Sequence, residues 1–167
     1  MIVSNETIVK EWLHVKRPAG FDLESFLPYR LSVTTNRVSR AFAAHYEQEF
    51  GISIPEWRAI AVLGAFAPLS SNEICERTAM DKAKVSRAVA SLLKRGLIER
   101  EAHQTDQRLI QLTLSKAGRR IYEAIIPRAR AIEAEVTKGL SKDDVVTLHR
   151  ILDRMATQLR EIEGTDS

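Results

Sequence analysis

The sequence predicts a mainly α-helical fold with a small antiparallel β wing and long helices at both ends. Three observations predict it. Glycine and proline are few, 7 and 5 in 167 residues, which favours helices over a sheet sandwich. Apolar residues recur at helical spacing through most of the chain, and one stretch, 97–114, alternates as strands do around a polar centre.

Residues 1–21 show little periodicity and read as an N-terminal arm. Asp22 to Phe50 reads as a helix, with Pro28 near its first turn, where a missing N–H does no harm. Leu31, Val38, Ala41, Phe42 and His45 share one of its faces, and Gly51 stops it. Ser53-Ile-Pro-Glu56 has capping-box form, a hydroxyl acceptor with a carboxylate three residues on. Trp57, Ile60, Ala61 and Leu63 then form the apolar side of a second helix that ends near Pro68. Ser70-Ser-Asn-Glu73 repeats the capping pattern and opens a short helix through Arg77. Asp81 caps a fourth helix, Lys82 to Arg95, which Gly96 ends. Leu97–His103 and Arg108–Leu114 are the expected strands, joined by Gln104-Thr-Asp-Gln107. Ser115 caps a long helix with Ile121, Ile125, Ala129, Ile132, Val136 and Leu140 along one stripe, and Pro127 is expected to kink it. Ser141 caps the last helix. There Val145, Leu148, Leu152, Met155, Leu159 and Ile162 follow each other at alternating steps of three and four. A 3.5-residue repeat of this kind is a coiled-coil seam, so these six residues are the expected dimer interface.

Composition excludes several classes. The lone cysteine, Cys75, permits no internal disulfide and fits a reducing cytoplasm. The N-terminus does not read as a signal peptide, and no stretch approaches 18 uncharged apolar residues, so no membrane span is expected. His14, His45, His103 and His149 are scattered without ligand spacing, so no metal is expected. No phosphate loop, nucleophile elbow or Cys/His arrangement appears, and neither catalysis nor a cofactor is predicted. The net charge is only +3, but residues 70–120 hold 11 basic and 6 acidic side chains between a neutral and a slightly acidic flank. A local basic patch is the footprint of a polyanion binder.

The short helix, its turn and the helix 82–95 have the size and spacing of a helix-turn-helix. On a helical wheel Val85, Ala88, Val89, Leu92 and Leu93 cluster, and Arg87 points away from them, flanked by Ala83, Lys84, Ala90, Ser91 and Lys94. Small residues let a helix approach the major groove, and an arginine reaches guanine O6 and N7 with two hydrogen bonds. The candidate partner is therefore double-stranded DNA.

Three segments carry a resemblance to the MarR family of winged helix-turn-helix regulators. They are Asp81 to Arg100, Asp106-Gln107-Arg108, and Leu112-Thr113-Leu114-Ser115 with Gly118. The resemblance covers residues 55–140 well and extends loosely over both terminal helices, which form the dimer in that family. It implies a winged helix-turn-helix with long N- and C-terminal dimerisation helices. The implied organisation is an arm at 1–21, a dimerisation helix at 22–52, a DNA-binding domain at 53–114 and C-terminal dimerisation helices at 115–167. It implies DNA contacts at Ser86 and Arg87 and a wing that enters the minor groove through Arg108, supported by Asp106. The middle wing residue is often Arg in the family and is Gln107 here, a hydrogen-bonding side chain without charge. The full candidate DNA surface is Ser70, Ser71, Lys82, Ala83, Lys84, Ser86, Arg87, Ser91, Lys94, His103, Gln107 and Arg108.

MarR-like proteins also bind small, often aromatic anions beside the DNA-binding domain. The matching candidates are Tyr29, Arg30, Val33, Arg37, Trp57 and Ile60, with structural core as the alternative role for the aromatic members. The function expected is that of a ligand-responsive repressor, a homodimer on a pseudo-palindromic operator. A protein-binding winged helix, or a dimeric small-molecule binder without operator recognition, is the alternative.

Overall fold

The computed structural model describes residues 21–102 and 110–165. The arm up to residue 20, and His103, Asp106, Gln107 and Arg108 of the wing, lie outside the described residues. Among the described residues six helices and two strands follow in order: α1 (Leu27–Phe50), α2 (Ile54–Phe66), α3 (Ser71–Thr78), α4 (Lys82–Lys94), β1 (Ile98–Ala102), β2 (Ile110–Leu114), α5 (Lys116–Thr137) and α6 (Lys142–Thr165). The chain divides within α1 into two compact units, Met1–Arg37 and Val38–Ser167.

In the first unit, Asp22 opens a turn rather than the helix itself. Its carboxylate accepts the Glu24 N–H at 3.1 Å, the local bond by which aspartate favours turns. Helix α1 starts five residues later, at Leu27, with Pro28 in its first turn as the chemistry of proline requires. Phe21 and Phe26 pack ring against ring at 5.1 Å.

In the second unit, α2 is the central element, packed against α3, α4, α5 and β2. Ala59, Ile60 and Leu63 on α2 are fully buried, and so are Ile52, Ile74, Leu92 and Leu112 around it. The face that α1 buries differs from the expected one. Ala43 and Tyr46 are buried with Phe42 and Phe50 partly so, whereas Ala41 is exposed. The rotation brings the Tyr46 ring to 5.7 Å from Trp57, which also stacks against Tyr122 of α5 at 6.3 Å. Gly64 leaves the space for that ring: a Cβ there would lie 2.4 Å from Tyr122.

Four of the five helix starts expected from a Ser or Asp are capped as read; at Ser53 the hydroxyl donates to Glu56 instead of accepting a helix N–H. Asp81 accepts the Lys84 N–H at 2.7 Å, Ser70 accepts the Glu73 N–H at 3.3 Å, and Ser115 accepts the Gly118 N–H at 3.1 Å. Ser141 and Asp144 cap each other's backbone at 2.9 and 3.1 Å. Between α3 and α4 the non-glycine Ala79 takes a left-handed conformation, φ 51°, and Met80 behind it is buried. Strands β1 and β2 pair antiparallel, Ile98 opposite Leu114 and Ala102 opposite Ile110. Leu69, after α2, exchanges both backbone hydrogen bonds with Leu112, at 3.1 and 2.8 Å, adding a one-residue bridge to the two-stranded wing. Helix α5 contains Pro127 within its span, and α6 is one helix from Lys142 to Thr165.

Candidate nucleic-acid interface

The packing face of α4 is the one read from the wheel. Val85, Ala88, Val89 and Leu92 are buried and Leu93 is partly buried. The opposite face, Lys82, Ala83, Lys84, Ser86, Arg87, Ala90 and Lys94, is exposed. An apolar face seated on the core and a basic, otherwise small face turned outward are the two requirements for a helix that enters a groove.

Not every candidate is equally free. Lys84 pairs with the cap residue Asp81 at 2.9 Å, both side chains more than half exposed. The hydrogen bonds from Lys84 hold the Asp81 carboxyl below the usual range, so it stays ionised and partly neutralises the lysine. Ser70 is committed to capping α3, while Ser71 is exposed beside it. Ser91 is half-buried and donates its hydroxyl to Glu56 at 2.6 Å, so it turns inward to α2 rather than outward. Arg87 and Lys84 line a groove of about 490 Å³ with Ser53, Pro55, Glu56, Ala88 and Ser91, between the first turn of α2 and the outer side of α4.

Glu56 is the residue whose part in this region sequence reasoning missed. Its capping role was legible in the Ser53–Glu56 spacing: one carboxylate oxygen accepts the Ser53 N–H and hydroxyl, each at 2.7 Å. The other oxygen, which accepts from Ser91 and faces Arg95 at 3.6 Å, meets residues more than thirty positions away that no local pattern reveals. Burial pushes the Glu56 carboxyl up, but hydrogen bonds from Ser91 and Ser53 and the charge of Arg95 outweigh it, and the group lies below its ordinary value of 4.5. A depressed carboxyl contributes stability that is complete above the ordinary value and is lost as pH falls through the folded one. Thermal melts from about pH 6 to about pH 3 should therefore fall more steeply for wild type than for Glu56→Gln. Parallel curves would show that this carboxylate does not link folding to protons.

The ligand candidates divide between the two units. Tyr29, Arg30 and Arg37 are exposed and Val33 is half-buried in the first. In the second, Trp57 is half-buried against the rings of Tyr46 and Tyr122, and Ile60 is fully buried in the core. The His45 side chain and the wing tip lie outside the described residues. Cys75 is half-buried against the core. Among the described residues no three His, Cys, Asp or Glu side chains gather as a metal site would need, and no helix is long and apolar enough to cross a membrane.

Comparison with known proteins bears on this geometry. The model of the MarR family matches residues 50–109, from the end of α1 into the wing. The HTH-type transcriptional regulator BilQ of Clostridium symbiosum is 26% identical over 108 residues, 65% of this chain and 75% of its own length. The crystal structure of a MarR/EmrR family transcriptional regulator from Acinetobacter sp. ADP1 superposes with a TM-score of 0.78 at 25% identity, covering 84% of this chain and 99% of that one. BpsR of Bordetella bronchiseptica, whose structure addresses regulation of its DNA binding by 6-hydroxynicotinic acid, shares the fold at 20% identity with a TM-score of 0.73, covering 83% of this chain and 98% of that one. The chain belongs to the MarR family of DNA-binding winged-helix transcriptional regulators.

Proposed function

We propose that this regulator is a repressor that binds a pseudo-palindromic operator as a homodimer in the cytoplasm and leaves it when a small aromatic or anionic ligand binds. The observation that carries DNA reading by α4 is its two-sided surface: Val85, Ala88, Val89 and Leu92 inward, Arg87 and its small neighbours outward. In this reading Arg87 reads a base or reaches a phosphate at the groove rim, with Lys82, Lys84 and Lys94 contributing charge and Ala83 and Ser86 allowing close approach. His103, Gln107 and Arg108 meet the minor groove or backbone, with Asp106 orienting Arg108. The homodimer is supported by α6, where Leu148, Leu152, Leu159 and Ile162 are each more than 40% exposed. Around Met155 the same surface forms a groove of about 410 Å³ with Ile151, Arg154, Gln158 and Leu159. Six apolar residues on one stripe are more than an unpartnered surface helix carries. For the ligand, the support is the likeness to BpsR, whose DNA binding is regulated by 6-hydroxynicotinic acid; the candidate residues are Tyr29, Arg30, Val33 and Arg37 of the first unit and Trp57 and Ile60 of the second.

Binding isotherms for wild type, Arg87→Ala and Arg108→Ala test the reading, on the protein's own promoter and on scrambled DNA at several salt concentrations. Arg87→Ala should cost about 1–3 kcal/mol and relax preference at one position per half-site, half-sites lying about one helical turn apart. Arg108→Ala should weaken both DNAs alike and lower the salt slope by about one per half-site. Repeating the wild-type series with benzoic and 6-hydroxynicotinic acids tests release: by linkage, a ligand that prefers the unbound form weakens DNA affinity by the factor by which DNA weakens its own. Equal losses on both DNAs for Arg87→Ala would reduce it to a backbone contact. No loss for either variant would remove α4 and the wing as the DNA surface.

A further inference from the structure

We infer that Glu56 is a positioning residue for DNA recognition: through Ser91 it sets the rotation of α4 about its own axis, and through Arg95 it ties that setting to the end of α1. The inference rests on α4 being the helix that reads DNA. Glu56 is 7% exposed, and each of its carboxylate oxygens has a separate task. One takes the Ser53 N–H and hydroxyl at the start of α2, each at 2.7 Å. The other takes the Ser91 hydroxyl at 2.6 Å and faces the Arg95 guanidinium at 3.6 Å. Arg95 in turn donates to the Phe50 carbonyl at 2.7 Å, the last of α1, and to the Gly51 carbonyl just beyond it at 2.9 Å. Gly51 turns the chain there with φ +60°, a conformation that side-chain-bearing residues rarely adopt. One buried carboxylate thus joins the end of α1, the start of α2 and the end of α4.

Stability alone is a poor reason for such a group. A buried carboxylate is costly to desolvate, and an apolar residue in its place is commonly as stable or more so. Direction is what it supplies. The apolar face of α4 is held by contacts that have no preferred direction, so they tolerate a small roll of the helix. A short charge-assisted hydrogen bond does not tolerate it. Lys84, Arg87 and Ser91 lie three and then four residues apart, on one stripe of the helix, and all three line the groove above Glu56. The bond at Ser91 therefore fixes the azimuth of the stripe that carries Arg87, about 6 Å further along the axis. Base reading needs that azimuth, whereas attraction to phosphates does not.

The test uses the full chain, a duplex selected from a random-sequence pool by the wild-type protein, and a scrambled duplex of the same composition. Ser91→Ala removes the hydroxyl and leaves every exposed cation in place. It should bind the selected duplex about tenfold more weakly, the worth of one charge-assisted hydrogen bond, and the scrambled duplex equally well, with an unchanged salt slope. Ser91→Thr, which keeps the hydroxyl, should restore the preference. In Glu56→Gln an amide cannot accept on both sides, so it should show the same selective loss, and the double variant should be no worse than either single. Unchanged selectivity in Ser91→Ala, equal loss on both duplexes, or losses that add in the double variant would each overturn the inference while leaving DNA reading by α4 intact. A wild-type protein that selects no sequence would overturn that reading and this inference together.

Discussion

At micromolar concentrations the wild type is expected to run as a dimer of twice 18.8 kDa, and Leu152→Asp as a monomer. Leu152 stands in the middle of the α6 stripe and is 42% exposed in the single chain. In a symmetric interface the substitution occurs twice. Each copy forfeits roughly 1.5–3 kcal/mol of apolar burial. Each also places a carboxylate against a hydrophobic seam, where ionisation is disfavoured. A loss of about 4 kcal/mol raises the dissociation constant about a thousandfold. Light scattering at about 5 µM, a concentration where nanomolar dimers stay whole and micromolar ones part, gives the mass directly. Thr147→Asp, an exposed position off the seam, is the control and should leave the mass unchanged. A wild-type monomer, or a Leu152→Asp variant that still dimerises, would remove α6 as the interface.

Gly118→Ala is expected to destabilise the fold by about 3 kcal/mol or more, the upper end for forcing one carbon into a packed site. The added Cβ would lie 1.9 Å from the Leu97 carbonyl oxygen and 3.0 Å from its carbon. That oxygen is not free to move. It accepts the Ser115 N–H at 3.1 Å, while the Ser115 hydroxyl donates to the Gly96 carbonyl at 2.7 Å and caps α5 through Gly118 itself. Relief therefore means separating α5 from the root of the wing. For a chain of this length the melting temperature should fall by roughly 6–12 °C. Gly164→Ala near the end of α6, where nothing lies within 4 Å, should instead hold or slightly raise it. A Gly118→Ala protein that melts with the wild type would show that the close approach of α5 to Leu97 is not maintained in solution.

Much of this molecule is decided within short windows of sequence. Ser70, Asp81, Ser115 and Ser141 each cap a helix, because a side-chain acceptor one turn from free N–H groups needs nothing distant to act, and Glu56 reaches back to the Ser53 N–H by the same short-range chemistry. The inward face of α4 was equally legible, since residues three and four apart share a side wherever the helix lies. So were the two wing strands and the α6 stripe. Only the tertiary structure decided which of two nearly equivalent faces α1 buries. Its apolar residues spread over more than one side, and the Tyr46–Trp57–Tyr122 stack selects the side with Ala43 rather than Ala41. It also decided that the Ser91 hydroxyl is partnered by Glu56. On a wheel Ser91 flanks the outer face, but it is half-buried beside the first turn of α2, where its hydroxyl completes the hydrogen bonding of a buried carboxylate. The sequence by itself determines where helices begin, which sides are apolar and where positive charge gathers, because those depend on neighbours within about one turn. The tertiary structure determines which polar groups are already partnered, because that depends on residues brought together from 35 and 44 positions away.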